Sequence, residues 1–256
     1  MRVLRVRQGQ RTAWARWIDD ETLRWLDGVP WGGAVERETV PRRDVELLAP
    51  VTPSKIVCVG RNYRAHAAEL GHDVPTEPLL FLKPPSALLA PGGVVEWPAD
   101  SERVDYEGEV AVVIGKPLRH ATEAEAAAAI FGLTCADDVT ARDLQRKDVQ
   151  FTRAKSFDTF CPCGPWIETE PPPLDALRIR TRVDGEVRQD ASTAAMIWGI
   201  PTLLAFVSRV MRLEPGDLLL TGTPEGVAPL TAGQRVEVKI EGVGTLSHSV
   251  GARPSP

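Results

Sequence analysis

The sequence predicts a mixed, β-dominated fold with short helices and a small β appendage at its N-terminus. Three observations carry this. The 256 residues include 21 glycines and 22 prolines, a share that favours turns and short strands over long helices. Apolar residues alternate with polar ones near the N-terminus and gather into short continuous runs from Lys55 onward, the signatures of half-buried and fully buried strands. Helical spacing is confined to brief stretches. With 43% apolar and 25% charged residues, the chain can bury a core of its own.

Taken in order, residues 3–7 and 12–17 alternate as antiparallel strands do, within an N-terminal unit over residues 1–50. Trp14, Trp17, Trp25 and Trp31 fall in this unit; aromatic side chains in strands ordinarily cover a sheet face, so packing is expected of them rather than cofactor stacking. Pro50-Val51-Thr52-Pro53 reads as a linker into the main unit, residues 51–256. Residues 56–60 form an apolar strand ending at glycine, and 64–71 a short polar helix closed by glycine. Further strands are predicted over 109–114, 177–183, 218–221 and 236–240, with helices near 122–130 and 201–211. The first of these helices opens with Thr122 and has Glu125 three residues on, the spacing of a capping box. Asp184-Gly185 marks a hairpin turn.

Composition narrows the partners. A net charge of −5 leaves no basic excess to neutralise phosphates, which argues against nucleic acid and for small molecules. The first twenty residues hold no apolar run long enough for a signal peptide or a membrane span, so a cytoplasmic protein without membrane partners is expected. Cys58, Cys135, Cys161 and Cys163 lack the spacing of a zinc site and are expected to be reduced. For Cys161-Pro162-Cys163 a structural role is favoured over a redox one. Walker, GxGxxG and HExxH patterns are absent, which removes the usual support for ATP, dinucleotide and zinc-peptidase chemistry.

Acids at the ends of apolar runs carry the chemistry. Glu107 and Glu109 head the run 109–114 two positions apart and so project from one face of a strand, while Asp137 and Asp138 follow the apolar run 131–136. An E-x-E pair by itself is ordinarily a solvated strand face. If these acids converge, three oxygens of one sign repel, and a hard divalent cation such as Mg²⁺ or Mn²⁺ neutralises them. His66 and Glu69 are three apart on a helix, either a surface ion pair or an imidazole oriented by a carboxylate as a general base. Lys155, read as a loop residue, is either solvated or half-buried beside an anionic substrate group or a developing oxyanion. Residues 221–226, Thr-Gly-Thr-Pro-Glu-Gly, offer amides and hydroxyls for the close approach of a carboxylate, or form a plain turn.

Together these residues resemble the fumarylacetoacetate hydrolase family, in particular small bacterial 2-hydroxyhepta-2,4-diene-1,7-dioate isomerase, acylpyruvate hydrolase and oxaloacetate decarboxylase members. The matching blocks are Gly60-Arg61-Asn62-Tyr63-Arg64-Ala65-His66, Phe81-Leu82-Lys83-Pro84, Asp105-Tyr106-Glu107-Gly108-Glu109, Asp138-Val139-Thr140-Ala141-Arg142-Asp143-Leu144-Gln145, Ala154-Lys155-Ser156-Phe157-Asp158, Gly164-Pro165-Trp166 and Thr221-Gly222-Thr223-Pro224. The resemblance implies a β-roll that holds the site, a homodimer, and a mobile lid near residues 66–78. It implies that Glu107, Glu109 and Asp138 bind Mg²⁺ or Mn²⁺, that His66 and Glu69 activate water, and that Lys155 contacts substrate. It further implies that Arg61, Tyr63, Arg142, Gln145 and Thr223 bind substrate. Three positions depart from the family pattern: Asp137 and Asp184, where many members have Asn, and Phe151, where many have Trp.

The implied chemistry is chelation of a 2-oxo acid by the cation and stabilisation of its enolate. Attack of an activated water on an acylpyruvate cleaves a carbon–carbon bond; loss of carbon dioxide gives a decarboxylase; proton transfer alone gives an isomerase. The His66 and Glu69 pair puts acylpyruvate hydrolysis first, with the other two next. A non-catalytic 2-oxo acid binding protein is the remaining alternative.

Overall fold

The computed structural model describes residues 1–69 and 73–254. Strands Arg2–Gln8, Arg11–Trp17, Thr22–Asp27 and Val35–Pro41 pair antiparallel in series, as the alternation at the N-terminus predicts. Trp25 is buried among Leu4, Val6 and Leu23, and the Trp14 indole N–H donates to the Pro50 carbonyl at 3.0 Å, so these rings pack. Pairing does not stop at the expected boundary. Arg2 and Val3 face Glu168 and Ile167 of strand Cys161–Glu168, which makes the N-terminal strands one flank of a twelve-stranded sheet.

Beyond Cys161–Glu168 that sheet continues through Ile130–Asp137, Gly108–Ile114, Leu218–Leu220, Ile56–Gly60 and Leu79–Lys83. Gly108–Ile114 is buried along its whole length, which is why it reads as a continuous apolar run. Its side chains alternate: Val110, Val112 and Ile114 enter the larger core, whereas Ala111 and Val113 enter a second apolar cluster on the other face. A five-stranded sheet, in order Glu186–Ser192, Arg178–Val183, Arg235–Ile240, Gly244–Val250 and Val94–Val95, contributes Val236, Val238, Ile240 and Leu246 to the larger core. Asp184 and Gly185 turn its first hairpin with φ of +50° and +84°, the pair of left-handed residues that a tight hairpin requires.

The helices are short. Glu123–Ala128 carries the complete capping box between Thr122 and Glu125. The helix predicted to reach 130 stops at Ala128, because Ile130 pairs with Ile114 and opens the next strand. Ile200–Val210 buries Leu203, Leu204 and Val207 against the larger core. Arg64–Glu69 matches the start of the helix predicted over 64–71; Leu70 and Gly71, and so part of the predicted lid, lie outside the described residues. Lys155, read as a loop residue, closes the one-turn helix Thr152–Lys155. All four cysteines are free and buried. Among the described residues no helix is long and apolar enough to cross a membrane.

Candidate active site

Strand register brings the acids together. Gly108 pairs with Asp137 and Glu109 with Ala136, and the Asp138 N–H donates to the Glu107 carbonyl at 2.8 Å. Glu107 and Glu109, at the head of one strand, therefore meet Asp138, which leaves the end of its neighbour. Each offers a carboxylate oxygen within 4.8 Å of the others, and all three are buried. The Gly222 N–H, just past strand Leu218–Leu220, donates to Glu109 Oε2 at 2.6 Å. Gly222 can do this because its φ of +97° suits glycine and because a side chain there would collide with Asn62.

Buried cations surround this cluster. Lys155 Nζ lies 2.8 Å from Glu107 and 2.7 Å from Asp138, and Lys83 Nζ lies 2.5 Å from the other Asp138 oxygen. Arg142 donates to Asp105 at 2.9 Å, to Gln145 at 2.6 Å, and to Glu107. Burial and the charges of Asp138 and Glu107 push the Glu109 carboxyl well above the usual carboxylate range. Burial pushes Glu107 the same way, but Lys155, Arg142 and His66 outweigh it and hold that carboxyl well below the range. Burial also works against the Lys155 ammonium, yet Asp138 and Glu107 win and raise its pKa.

The donor set fits a hard divalent cation. Its three potential ligands are carboxylates, without thiolate or imidazole among them. Glu109, with one backbone N–H as its partner among the described residues, is the acid whose charge is least compensated. Oxygen donors of this kind favour Mg²⁺ or Mn²⁺ over zinc.

Above the acids is a cavity of about 330 Å³. Of the residues singled out by sequence, Arg61, His66, Glu107, Glu109, Asp138, Arg142, Gln145, Lys155 and Thr223 all line it. Glu69 approaches His66 Nδ1 at 3.4 Å and accepts the Gly226 N–H at 3.0 Å, so the pair on helix Arg64–Glu69 is tied to the loop after Thr223. His66 is buried, and that burial lowers its pKa below the ordinary 6.5 against the pull of Glu107 and Glu69. Tyr63 does not reach the cavity: it is 1% exposed, and its hydroxyl has no hydrogen-bond partner among the described residues. Of the amides in the 221–226 loop, those of Gly222 and Gly226 are engaged internally, by Glu109 and Glu69. Thr223 Oγ1 donates to the Gly108 carbonyl at 3.0 Å and accepts from Gln189 at 2.8 Å.

Sequence reasoning gave no role to Lys83, Asp105, Arg146, Phe81, Phe151 or His248. Lys83 closes an apolar run as Asp138 does, and that signal was available. Phe81 and Phe151 pack edge to face at 5.7 Å on the cavity wall. His248 meets Asp137 from the five-stranded sheet, 111 residues away, and no local pattern announces such a contact.

Two family models match the chain. The Rv2993c-like N-terminal model covers residues 1–50, and the fumarylacetoacetate (FAA) hydrolase C-terminal model covers residues 55–251. The chain belongs to the fumarylacetoacetate hydrolase family. Oxaloacetate tautomerase YisK of Bacillus subtilis is 41% identical over 222 residues, 81% of this chain and 74% of that one. Protein Rv2993c of Mycobacterium tuberculosis is 47% identical over 218 residues, 84% of this chain and 82% of that one. The crystal structure of 2-hydroxyhepta-2,4-diene-1,7-dioate isomerase from Mycobacterium marinum superposes with a TM-score of 0.92 at 41% identity, covering 100% of both chains. In this fumarylacetoacetate hydrolase family member the mostly β architecture and the buried acidic triad are thus set in a shared fold.

Proposed function

We propose that this protein is a divalent-cation-dependent enzyme that converts a 2-oxo acid to its enol by proton transfer, a keto–enol tautomerase or isomerase. One observation carries the reading: a buried Glu107, Glu109 and Asp138 set opens on the same cavity as His66, an imidazole that burial keeps in its basic, neutral form. Glu107, Glu109 and Asp138 would hold Mg²⁺ or Mn²⁺. When bound, such an ion supplies positive charge beside the 2-oxo group and stabilises the enolate. His66 is the group placed to take a proton from the carbon next to the carbonyl and return it, and Glu69 steadies the ring through Nδ1. Lys155, cationic and facing the cavity, offsets the negative charge that develops on the substrate oxygen. Phe81 and Phe151 cover the wall and limit water around the reacting carbon. The oxaloacetate tautomerase of Bacillus subtilis and the 2-hydroxyhepta-2,4-diene-1,7-dioate isomerase of Mycobacterium marinum bear names of this proton-transfer kind.

A second reading is hydrolysis of acylpyruvates. The His66 and Glu69 pair favours it, because a neutral imidazole oriented by a carboxylate is equally a base for water. An assay of the purified protein with Mg²⁺ or Mn²⁺ against oxaloacetate, acetylpyruvate and a hydroxymuconate-type diacid separates the two. Faster keto–enol exchange of oxaloacetate without cleavage of acetylpyruvate is the expected result. Cleavage of acetylpyruvate with no acceleration of exchange would replace the first reading by the second.

A further inference from the structure

The backbone between the two glutamates is held by side chains from elsewhere in the chain. Gly108 sits between Glu107 and Glu109, and its N–H donates to Oε1 of Gln189 at 3.1 Å. Its carbonyl accepts from the Thr223 hydroxyl at 3.0 Å, and Gln189 Nε2 donates to that same hydroxyl oxygen at 2.8 Å. Three hydrogen bonds thus close a ring on one residue. The orientation of the Gln189 amide is fixed, because a backbone N–H can only donate and so must face the amide oxygen. The Pro224 carbonyl accepts from Nε2 as well, at 2.8 Å, so a carboxamide supplies both the acceptor and the two donors that this position needs.

Gln189 is 1% exposed and comes from strand Glu186–Ser192 at the edge of the five-stranded sheet. It can approach because residue 108 is glycine: a Cβ there would lie 2.1 Å from Thr181 Oγ1 and 3.2 Å from Gln189 Oε1. A second strut leaves the same segment. Tyr106, also 1% exposed, donates its hydroxyl proton to the Gly226 carbonyl at 2.6 Å. Residues 106–108 are therefore tied to the loop 223–226 at both of its ends, through Gln189 at Thr223 and Pro224 and through Tyr106 at Gly226. That loop in turn holds the base side of the cavity, since the Gly226 N–H donates to Glu69, which approaches His66 Nδ1. Neither Gln189 nor Tyr106 is among the residues that line the cavity.

We infer that Gln189 and Tyr106 are positioning residues, which set the distance between the acidic triad and the His66 and Glu69 pair without touching substrate. This inference rests on the proposed proton-transfer chemistry, in which the acids and the imidazole serve one substrate. The two sides belong to different elements, strand Gly108–Ile114 and helix Arg64–Glu69, so their spacing depends on what joins them. Apolar packing is non-directional, whereas a buried, fully bonded amide and phenol specify one arrangement. A displacement of about 1 Å at a reacting group can cost about 100-fold in rate.

The test uses the full chain with Mn²⁺ in four proteins: wild type, Gln189→Met, Tyr106→Phe and Val238→Ala. Methionine removes the hydrogen bonds of Gln189 at similar length, and phenylalanine removes one hydroxyl and keeps the ring. Val238 packs on the same face of Gly108 through a methyl group, so Val238→Ala lowers stability without cutting a strut. Melting temperature, Mn²⁺ affinity by calorimetry, amide hydrogen exchange at Gly226, and kcat and KM for oxaloacetate tautomerisation are measured in each. Both strut variants should speed hydrogen exchange at Gly226 by about fivefold. Their kcat should fall by about tenfold or more, with KM and Mn²⁺ affinity within about threefold of wild type. Val238→Ala should lower the melting temperature and hold kcat within about twofold. For either residue, unchanged hydrogen exchange at Gly226, a kcat loss no larger than that of Val238→Ala, or Mn²⁺ affinity that falls in step with kcat overturns the assignment. If the wild type does not tautomerise oxaloacetate, the proposed function falls and hydrogen exchange at Gly226 alone decides the struts. Normal kcat with unchanged hydrogen exchange in both variants removes the struts and leaves the proposed function standing.

Discussion

The Asp137 carboxyl lies 2.7 Å from Nε2 of His248, and both side chains are fully buried. The other Asp137 oxygen accepts the backbone N–H of Glu107 at 2.7 Å. A contact between the two sheets thereby fixes the backbone from which an acid of the site projects. Removing one member of a buried pair leaves the other unsatisfied, at a cost of about 3–5 kcal/mol. His248→Ala is expected to lose stability on that scale in urea unfolding. Asp137→Asn retains an acceptor for Glu107 and a polar partner for His248, and should lose distinctly less. Equal losses would show that the second carboxylate oxygen, which a neutral amide cannot replace, carries the whole contact.

Three buried carboxylates within 4.8 Å predict a protein stabilised by hard divalent cations. At a free ion concentration one hundred times the dissociation constant, binding to the native state alone adds about 2.7 kcal/mol. Thermal melts with Mg²⁺ or Mn²⁺ should therefore rise, and a chelator should reverse the shift. Glu109→Gln removes the least compensated charge of the set, so it should abolish most of the shift without lowering the melting temperature of the chelated protein. A full shift in that variant would place the ion elsewhere.

Much of this site was legible in the sequence because its acids stand at the ends of apolar runs, and a strand end fixes both the exposure and the direction of the next side chain. Glu107, Glu109 and Asp138 could be singled out that way before any contact was known. Lys83 carried the same signal at the end of Leu79–Lys83, but a single lysine is ordinarily solvated and was passed over as a role. Strands Cys161–Glu168 and Gly244–Val250 were missed for another reason. The first contains two prolines and a glycine, and the second mixes serine, threonine and histidine, so neither shows clean periodicity. Their conformations come from long-range pairing, with Ile130–Asp137 in one case and Arg235–Ile240 in the other. Tyr63, expected from its motif block to bind substrate, is buried and is not among the residues that line the cavity.

His66 sets the expected pH profile. Burial lowers its pKa below 6.5, so the neutral base is already present at pH 7 and is lost as pH falls through the depressed value. The acid limb of kcat/KM should therefore lie below pH 6.5. His66→Ala should reduce proton transfer by about 10²–10⁴-fold, the range for loss of a positioned base. Glu69→Gln keeps a hydrogen-bonding group beside Nδ1 and should cost less while moving the acid limb further down. A limb unmoved by Glu69→Gln would separate the two residues functionally.

Acid stability is expected to depend on Asp217, which joins the start of the main unit to the strand beside it. Its buried carboxyl accepts from the Ser54 N–H at 2.9 Å, the Ser54 hydroxyl at 2.7 Å and the Glu214 N–H at 2.9 Å, and it meets the Lys55 ammonium at 2.5 Å. Burial raises its pKa, but Lys55, Glu214 and Ser54 outweigh burial and hold it below the ordinary 3.8. As pH falls the unfolded chain takes up this proton first, so the contribution is present above pH 3.8 and is lost as pH drops through the depressed native value. Asp217→Asn should cost about 1–3 kcal/mol at pH 7, where a charged acceptor becomes a neutral one with a mispaired amide. The same variant should flatten the fall in stability below about pH 4, measured as the urea midpoint across pH. If the wild type and the variant lose stability in parallel over that interval, the acid sensitivity belongs to other carboxylates and Asp217 serves only as a neutral acceptor.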